Sequence, residues 1–512
     1  MLSKITHRSL RTCYSGNILS SHPRKSPILH RYSYKSRFYS DLILSDAQRK
    51  TIYALSTPAG KAGVAVIRIS GPEALEVWKV LVKTSSRRLP EPWKMQRCKI
   101  VFPERQEVLD DGLAVFFKAP KSFTTEDVLE LHIHSGRAII SSVLHALSSL
   151  PFCRPAEAGE FTRRAFQGGR LDLTQVEGLK DLINADTESQ RRIALQAARG
   201  ISRAQFEHLR LGIIHCLAMV EALIDFGEGE DLEEGVFEQA RAKAVQLNTT
   251  IRKHLEDGRR GEIIRSGLHL AIFGPPNAGK SSLLNFLAQR EAAIVTPVPG
   301  TTRDILELSL DIDGLPVIVA DTAGLRSTDD LVESIGINRA RNIVQGSNVS
   351  LCVLSLSEIY DETTSTLHVP PSLKDLITLE TCFLLNKSDL VQVQPSQAEI
   401  QHAFGQNAWI ASLETGHGTF EFFSHFTQML KQRYETGDTQ DAAVPLITHT
   451  RHRTHLECAS QFIDSFLQYS AQDIVLGAEE LRYAAQAVGK ISGLIDVEDV
   501  LDAVFRDFCI GK

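Results

Sequence analysis

Between Thr51 and about Gly169, apolar and polar residues alternate in short runs broken by Pro and Gly, as in Ala62–Gly71, Gly112–Phe117 and Val128–His134. A period of two places one side chain in, the next out, and predicts half-buried strands. Arg137–Leu150 reads as a helix packed on them, so the stretch is expected to be a compact α+β domain. From about Leu171 to Glu256 the period lengthens. Ile193, Leu195, Ala198, Ile201, Phe206, Leu209, Ile213, Leu217, Val220 and Leu223 recur at helical spacing, which predicts helices of a bundle. Glu228–Glu234 reads as an acidic, solvated turn. Strand and helix then alternate from Leu268 to Leu430, the pattern of a parallel sheet with crossover helices. Helical spacing returns after Val444, through His455–Tyr469 and Ala478–Val488. The simplest account is an α/β domain inserted between two helices of one helical domain, with no internal repeat.

Composition changes the picture mainly at the amino-terminal end. The first forty residues hold no Asp or Glu, yet carry Lys4, Arg8, Arg11, Arg24, Lys25, Arg31, Lys35 and Arg37 among many serines. That is the composition of a mitochondrial transit peptide, with a basic nucleic-acid- or membrane-binding tail as the alternative. Net charge is −6 over all 512 residues and about −14 without those eight cations, so the body is acidic. An acidic body is a poor general phosphate-binding surface, and an RNA substrate would need a local patch or a basic partner. No apolar run approaches the ~20 residues of a membrane span. Eight cysteines (Cys13, Cys98, Cys153, Cys216, Cys352, Cys382, Cys458, Cys509) lie without C-x-x-C or Cys/His ligand spacing. This fits a reducing compartment rather than a disulfide framework or a zinc site.

The candidate chemistry is concentrated in the alternating segment. Gly274-Pro-Pro-Asn-Ala-Gly-Lys-Ser281 follows the apolar run Leu268–Phe273 and precedes a helical one, the setting a phosphate-binding loop requires. The N–H groups of such a loop, Gly274, Asn277, Ala278 and Gly279 among them, and of Ser281 and Ser282 at the helix start present partial positive charge to phosphates. Lys280 is expected to bridge the β- and γ-phosphates and Ser281 to hold Mg²⁺. Asp321-Thr322-Ala323-Gly324 follows the run Val317–Ala320, so Asp321 can hold magnesium through water while the Gly324 N–H senses the γ-phosphate. Asn386-Lys387-Ser388-Asp389 ends another apolar run. A carboxylate at Asp389 accepts both the N1–H and the exocyclic amino hydrogens of guanine, whereas adenine offers an acceptor at N1, so GTP is preferred over ATP. Ser412-Leu-Glu-Thr-Gly416 looks like the fifth GTPase loop, with Leu413 where Ala is usual. Position 325 is Leu, which cannot orient water as the glutamine of Ras-like proteins does.

At this point the residues resemble a family, the tRNA modification GTPases called MnmE or TrmE, over nearly everything from Asp41 to Lys512. The resemblance is carried by the run ending at Gly71, Ser122–Leu131, Gly159–Phe166, Leu171-Asp-Leu173 and the terminal Phe508-Cys-Ile-Gly-Lys512, besides the nucleotide motifs. It implies a multidomain α/β protein: a transit peptide over residues 1–40 and a tetrahydrofolate-binding-like α+β domain over 41–169. A helical domain over 170–262 and 432–512 would then enclose a Ras-like P-loop GTPase domain at 263–431. It further implies activation by K⁺ and by pairing of two GTPase domains, with Asn277 and carbonyls of Thr296, Val298 and Thr301 around the ion and Thr302 as second magnesium ligand. Catalytic roles would fall to Lys280, Asn277, Thr302 and Glu333, the last orienting water across the gap left by Leu325.

The family's amino-terminal domain binds 5-formyl- or 5,10-methylene-tetrahydrofolate. The matching positions here are Arg68, Glu130 and Arg170, with Lys512 completing the site. Arg170 stands where some members have Lys, and His134-Ser-Gly136 departs from the more usual His-Gly-Gly. Cys509 would lie beside the folate, positioning it or taking a modest chemical part. The function implied is a homodimeric GTPase that, with a GidA-like FAD-binding partner in a heteromeric complex, modifies C5 of the wobble uridine of mitochondrial tRNAs. Its place would be the matrix, peripheral to the inner membrane. The rivals are a mitochondrial ribosome-assembly GTPase and a non-enzymatic folate-responsive scaffold.

Overall fold

The computed structural model describes residues 50–85, 89–226, 235–257, 259–290, 293–294, 308–319, 341–378, 380–434, 445–494, 508 and 511. The expected leader and the acidic turn at 228–234 lie outside them. The chain opens with β1 (Thr51–Leu55), β2 (Ala62–Ser70), helix α1 (Ala74–Leu81), β3 (Val82–Lys83), β4 (Gln96–Val101), β5 (Val108–Phe117) and β6 (Val128–Ser135). Helix α2 (Arg137–Ser148), β7 (Cys153–Pro155) and α3 (Glu160–Gln167) complete the first body. Its sheet runs β3-β4-β5-β6-β2-β1-β7. Alternation explains its two faces. Leu129, Leu131 and Ile133 of β6 are buried with Val77, Trp78 and Leu81 of α1 and Val143, Ala146 and Leu147 of α2. Glu130 and His132 therefore take the opposite face.

The next elements are helical: α4 (Leu173–Ile183), α5 (Glu188–Ala198), α6 (Ile201–Phe226), α7 (Val236–Leu255) and α8 (Arg260–Ser266). Asp172 and Thr187 start α4 and α5 as capping boxes with Gln175 and Gln190. The helical stretch from Gln190 to Phe226 is broken. Gly200 turns left-handed at φ +82° and starts a new helix, so the apolar phase slips and Ile201 is 45% exposed. Phe206, Leu209, Ile213 and Val220 of α6 do form the predicted stripe and pack with Ala240, Leu247 and Ile251 of α7.

A second sheet follows, from β8 (Leu268–Phe273), β9 (Ala293–Ile294), β10 (Leu308–Ile312), β11 (Leu315–Val319) and β12 (Val349–Ser355), through the ribbon β13 (Tyr360–Asp361) with β14 (Thr366–Leu367), to β15 (Cys382–Asn386) and β16 (Ala408–Ile410). Its order is β16-β15-β12-β8-β11-β10-β9, parallel from β16 to β11 and antiparallel beyond. Both faces are covered. Leu270 and Ile272 meet Leu283, Leu284 and Leu287 of α9 (Lys280–Arg290). Phe273, Cys352 and Leu354 meet Ile400 and Phe404 of α10 (Gln397–Phe404). Helix α11 (Thr419–Tyr434) closes this body, and α12 (Thr450–Gln468) and α13 (Ile474–Ser492) pack back onto α6 and α7. Among the described residues no helix is long and apolar enough to cross a membrane.

The return from the second sheet is fixed by buried charge. The Arg451 Nε and Nη2 groups donate to the two oxygens of Glu177 at 3.1 and 3.0 Å, and His452 Nε2 lies 2.8 Å from Oε2. Burial alone would raise the Glu177 carboxyl, but His452, His449 and Arg451 hold it far below the usual range. His449 is pushed down to about 3, mainly by burial. Glu177, His449 and His452 bring one ligand atom each within 4.8 Å of one another, a grouping invisible in a sequence where Glu177 lies so far from the histidines. The Arg451 guanidinium already neutralises that carboxylate, which opposes a divalent cation there.

Both shifts weaken the fold in acid. A histidine whose folded pKa is depressed gives stability that is full above its unfolded value near ~6.5. That stability falls as pH drops towards 3, while Glu177 contributes a further loss only below about 4.5. Thermal melts between pH 6.5 and 4.5 should therefore show a stability slope that His449→Gln reduces by about 1 kcal/mol per pH unit, one proton's worth. An unchanged slope would show that His449 is not held neutral. Glu177→Leu, which leaves the half-buried Arg451 charge without its carboxylate, should cost about 3–5 kcal/mol.

Candidate functional site

The loop after β8 owes its shape to backbone conformations that ordinary residues avoid. Gly274 takes φ +148°, Asn277 +57° and Gly279 +104°. The sequence places glycine at two of the three and, at the other, asparagine, which tolerates the left-handed region. Lys280 opens α9 and curls back, its Nζ donating to the carbonyls of Gly274 at 3.0 Å and Pro275 at 2.6 Å. Burial holds the lysine below its usual pKa. Ser281 and Ser282 stand exposed on the first turn of α9, Asn277 is exposed and Ala278 fully buried. Loop N–H groups, a helix start and one ammonium make a cradle for phosphates.

The strand end of β15 lies against that cradle. Asn386 is buried and works from both ends of its amide: Nδ2 donates to the Ala278 carbonyl at 2.9 Å, and Oδ1 accepts from the Leu413 N–H at 3.0 Å. One neutral side chain thus ties the phosphate loop, the Asn386–Asp389 turn and the Ser412 loop together. A Cβ on Gly279 would lie 2.1 Å from Asn386 Nδ2, so only glycine permits this approach. Lys387 takes φ +64°, and the following short turn carries Asp389 exposed to solvent. Ser412 is fully buried, its hydroxyl accepting from the Thr415 N–H at 3.2 Å. Thr296, Val298, Thr301, Thr302, Asp321, Thr322, Ala323, Gly324 and Glu333 lie outside the described residues.

A second candidate site lies on the face of the first sheet opposite α1 and α2, where Phe161 of α3 packs beside Ile52 and Ala54. Arg68 of β2 and Glu130 of β6 are direct cross-strand partners, and Nε donates to Oε1 at 2.9 Å. The Arg68 guanidinium lies 5.2 Å from the ring centre of Phe123 and 5.8 Å from that of Phe161. Arg170 approaches the same Phe123 ring at 5.5 Å and donates to the Ser122 carbonyl. Burial, then the neighbouring Arg68 charge, lowers the Arg170 pKa. Among the described residues Arg170 meets no carboxylate, so aromatic faces and excess positive charge together suit a planar anionic ligand. The chain's far end arrives at the same sheet: Ser56 Oγ, just past β1, donates to the Gly511 carbonyl at 2.9 Å, and Phe508 is buried. Cys509 and Lys512 lie outside the described residues. The two phenylalanines were not singled out from sequence, although Phe123 lies within the Ser122–Leu131 motif and Phe161 within Gly159–Phe166. Burial pushes the Cys98 and Cys216 thiols up to about 11 and Cys153, Cys352 and Cys382 up to about 12, which leaves them inert packing groups.

Comparison with known proteins adds an independent line. The family model described as the GTP-binding protein TrmE N-terminus matches residues 51–170, and that described as the MnmE helical domain matches 173–509. The chain is 45% identical to a mitochondrial 5-taurinomethyluridine-tRNA synthase subunit of Danio rerio, over 90% of this chain and 93% of that protein. It is 40% identical to a mitochondrial tRNA modification GTPase of Dictyostelium discoideum, over 91% and 95%. It is 44% identical to the tRNA modification GTPase MnmE of Parvibaculum lavamentivorans, over 90% and 100%.

Gly279→Ala should drive Asn386 from the Ala278 carbonyl and lower guanine-nucleotide affinity by about 5-fold to 150-fold, since a displaced buried amide loses about 1–3 kcal/mol. Titration with a fluorescent GDP analogue reads this directly. Affinity within twofold of the unaltered protein would mean the loops are not held by that contact.

Proposed function

Because the chain belongs to the MnmE family of tRNA modification GTPases, we propose that its GTP hydrolysis drives modification of C5 of the wobble uridine in mitochondrial tRNAs. It is a GTP hydrolase that acts in tRNA modification. Its work would be done in the mitochondrial matrix, as a homodimer in a heteromeric complex with a GidA-like FAD-binding protein. The names of the Danio and Dictyostelium relatives, both mitochondrial and one a synthase subunit, support that location and a multi-subunit assembly.

The observation that supports the reading is the gathering, at the carboxy-terminal ends of β8 and β15, of the loop Gly274–Ser281 and the turn Asn386–Asp389 through the two hydrogen bonds of Asn386. Residues about 263–431 form the proposed GTPase domain, within a helical domain of 170–262 and 432–512, behind an N-terminal domain of 41–169. The residues present fit the implied ions. Ser281 presents its hydroxyl at the start of α9, where Thr302 and Asp321 would join it on Mg²⁺. Asn277 is exposed on the loop that Thr296, Val298 and Thr301 would close around K⁺. A monovalent cation beside the phosphates supplies compensation for charge developing there. Glu333 would orient water, the task Leu325 cannot perform.

The cleft of Arg68, Glu130 and Arg170, completed by Lys512, is the proposed site for 5-formyl- or 5,10-methylene-tetrahydrofolate. The aromatic faces fit a pterin and the spare cationic charge fits a carboxylate tail. The folate would supply a one-carbon unit, and Cys509 would stand beside it.

Replacing K⁺ by Na⁺ should slow GTP turnover at least about tenfold, and Glu333→Ala about 100-fold or more. Equal rates in the two salts would remove the basis for the Asn277 assignment. Asp389→Asn exchanges an acceptor for an amide donor and should shift preference from GTP to xanthosine triphosphate. Mass spectrometry of mitochondrial tRNAs from a deletion strain should find unmodified wobble uridines. Intact modification would favour a role in ribosome assembly instead.

A further inference from the structure

His132 belongs to no motif used above, yet it occupies the floor of the sheet cleft. It lies two residues beyond Glu130 on β6, hence on the same face. Across the sheet it pairs with Val66 of β2 on one side and Leu113 of β5 on the other, so its lateral neighbours are apolar. Its Nε2 atom is buried and makes no hydrogen bond among the described residues. The nearest acidic group is the second oxygen of Glu130, 3.7 Å away, just outside hydrogen-bond reach. The first oxygen of that carboxylate is already taken by Arg68 Nε at 2.9 Å. Glu130 is thus gripped firmly on one side and loosely on the other. A buried ring nitrogen left unpaired is an unusual cost in a folded protein and calls for a specific role.

We propose that His132 is a positioning residue of the cleft: its Nε2–H closes on the second Glu130 oxygen when a ligand is bound, so that the carboxylate is held between His132 and Arg68 and aimed at the ligand. The side chain acts through Glu130 and need not touch the ligand itself. A carboxylate recognising a heterocyclic N–H edge must present its lone pairs in one plane, and a grip at one oxygen leaves it free to swing. A second grip removes that freedom before the ligand arrives or as it does. Burial would raise the Glu130 pKa, and the nearby His132 together with Arg68 brings it below the usual value, in keeping with a charged carboxylate whose second oxygen is ready to accept.

The inference rests on the reading of this cleft as the folate site, so the test separates the two. The full-length protein is titrated calorimetrically with 5-formyltetrahydrofolate. His132→Leu, which fills the space and removes the donor, should weaken binding about 10-fold to 100-fold, the range for losing a hydrogen bond to a charged group. His132→Gln, which restores an N–H donor, should bring affinity back to within about threefold. GTP turnover of both variants should match the unaltered protein, because the second sheet is untouched, and His132→Leu should melt no lower than it, since the unpaired buried nitrogen is gone. Unchanged affinity in His132→Leu overturns the assignment, as does a His132→Gln variant no better than His132→Leu. Glu130→Ala is the control: if it too binds normally, or the unaltered protein does not bind at all, the cleft reading falls and this assignment with it.

Discussion

The arrangement of the whole chain depends on one buried carboxylate being matched by charge. Glu177 sits on α4 with 4% of its surface exposed, where an ionised group is tolerated only if it is paired and hydrogen-bonded. Arg451 supplies the match and does more. Its Nη1 and Nη2 also donate to the carbonyls of Lys490 and Ile491 at the end of α13. Those carbonyls would otherwise be among the unsatisfied acceptors of a helix terminus. One guanidinium therefore fastens α4, α12 and α13. Two residues on, Arg453 donates to Glu262 of α8, to the Leu255 carbonyl at the end of α7 and to Asp257. The chain leaves for the second sheet through α8 and returns at α12, and these contacts hold departure and return side by side. A domain can be inserted into a helical bundle only if its two ends meet, and here charge pairing makes them meet.

At the nucleotide end the division of labour is by polarity. The residue that holds the loops together, Asn386, is buried and neutral, so its burial carries the cost of an amide with both ends satisfied rather than of an ion. The residue proposed to read the base, Asp389, is exposed and keeps its charge in water until a partner displaces it. Exchanging the two would bury an unpaired carboxylate. The order of residues within Asn386-Lys-Ser-Asp389 is thus set by which of them points into the protein.

Periodicity made most of the architecture legible because each body buries one clean stripe. Leu129, Leu131 and Ile133, or Phe206, Leu209 and Ile213, say in sequence what they do in the fold. Gly200 blurred that record, since a single left-handed residue resets the helical phase without interrupting the apolar composition. Within the sites, the loop Gly274–Ser281 and the turn Asn386–Asp389 were readable because backbone chemistry at fixed spacing defines them. The aromatic wall of Phe123 and Phe161 and the grouping of Glu177 with His449 and His452 were not. Their members come from distant segments, and no local spacing encodes a contact made only by packing. His132 falls between these cases. The alternation Glu130, Leu131, His132, Ile133 placed it on the Glu130 face, but the unpaired nitrogen became visible only with its neighbours in place.

The helical body touches the inserted one at a second seam of a different strength. The Ser189 N–H, in the first turn of α5, donates to the Gly314 carbonyl at the tip of the β10–β11 hairpin at 3.2 Å. That hairpin joins the segment carrying Thr301 and Thr302 to the one carrying Asp321–Gly324. Each neutral bond of this kind contributes about 0.5–1.5 kcal/mol, whereas breaking the buried Glu177 pairing costs about 3–5 kcal/mol. If the two bodies shift against each other, the seam at Gly314 yields while the junction at Arg451 holds. Movement is then a rotation about the point where the chain crosses between bodies, near Gly267, whose φ of +92° places it outside both helix and strand. The two ends of the interface thus differ in the strength of their contacts, and the weaker end is the one nearer the segments of Thr302 and Asp321.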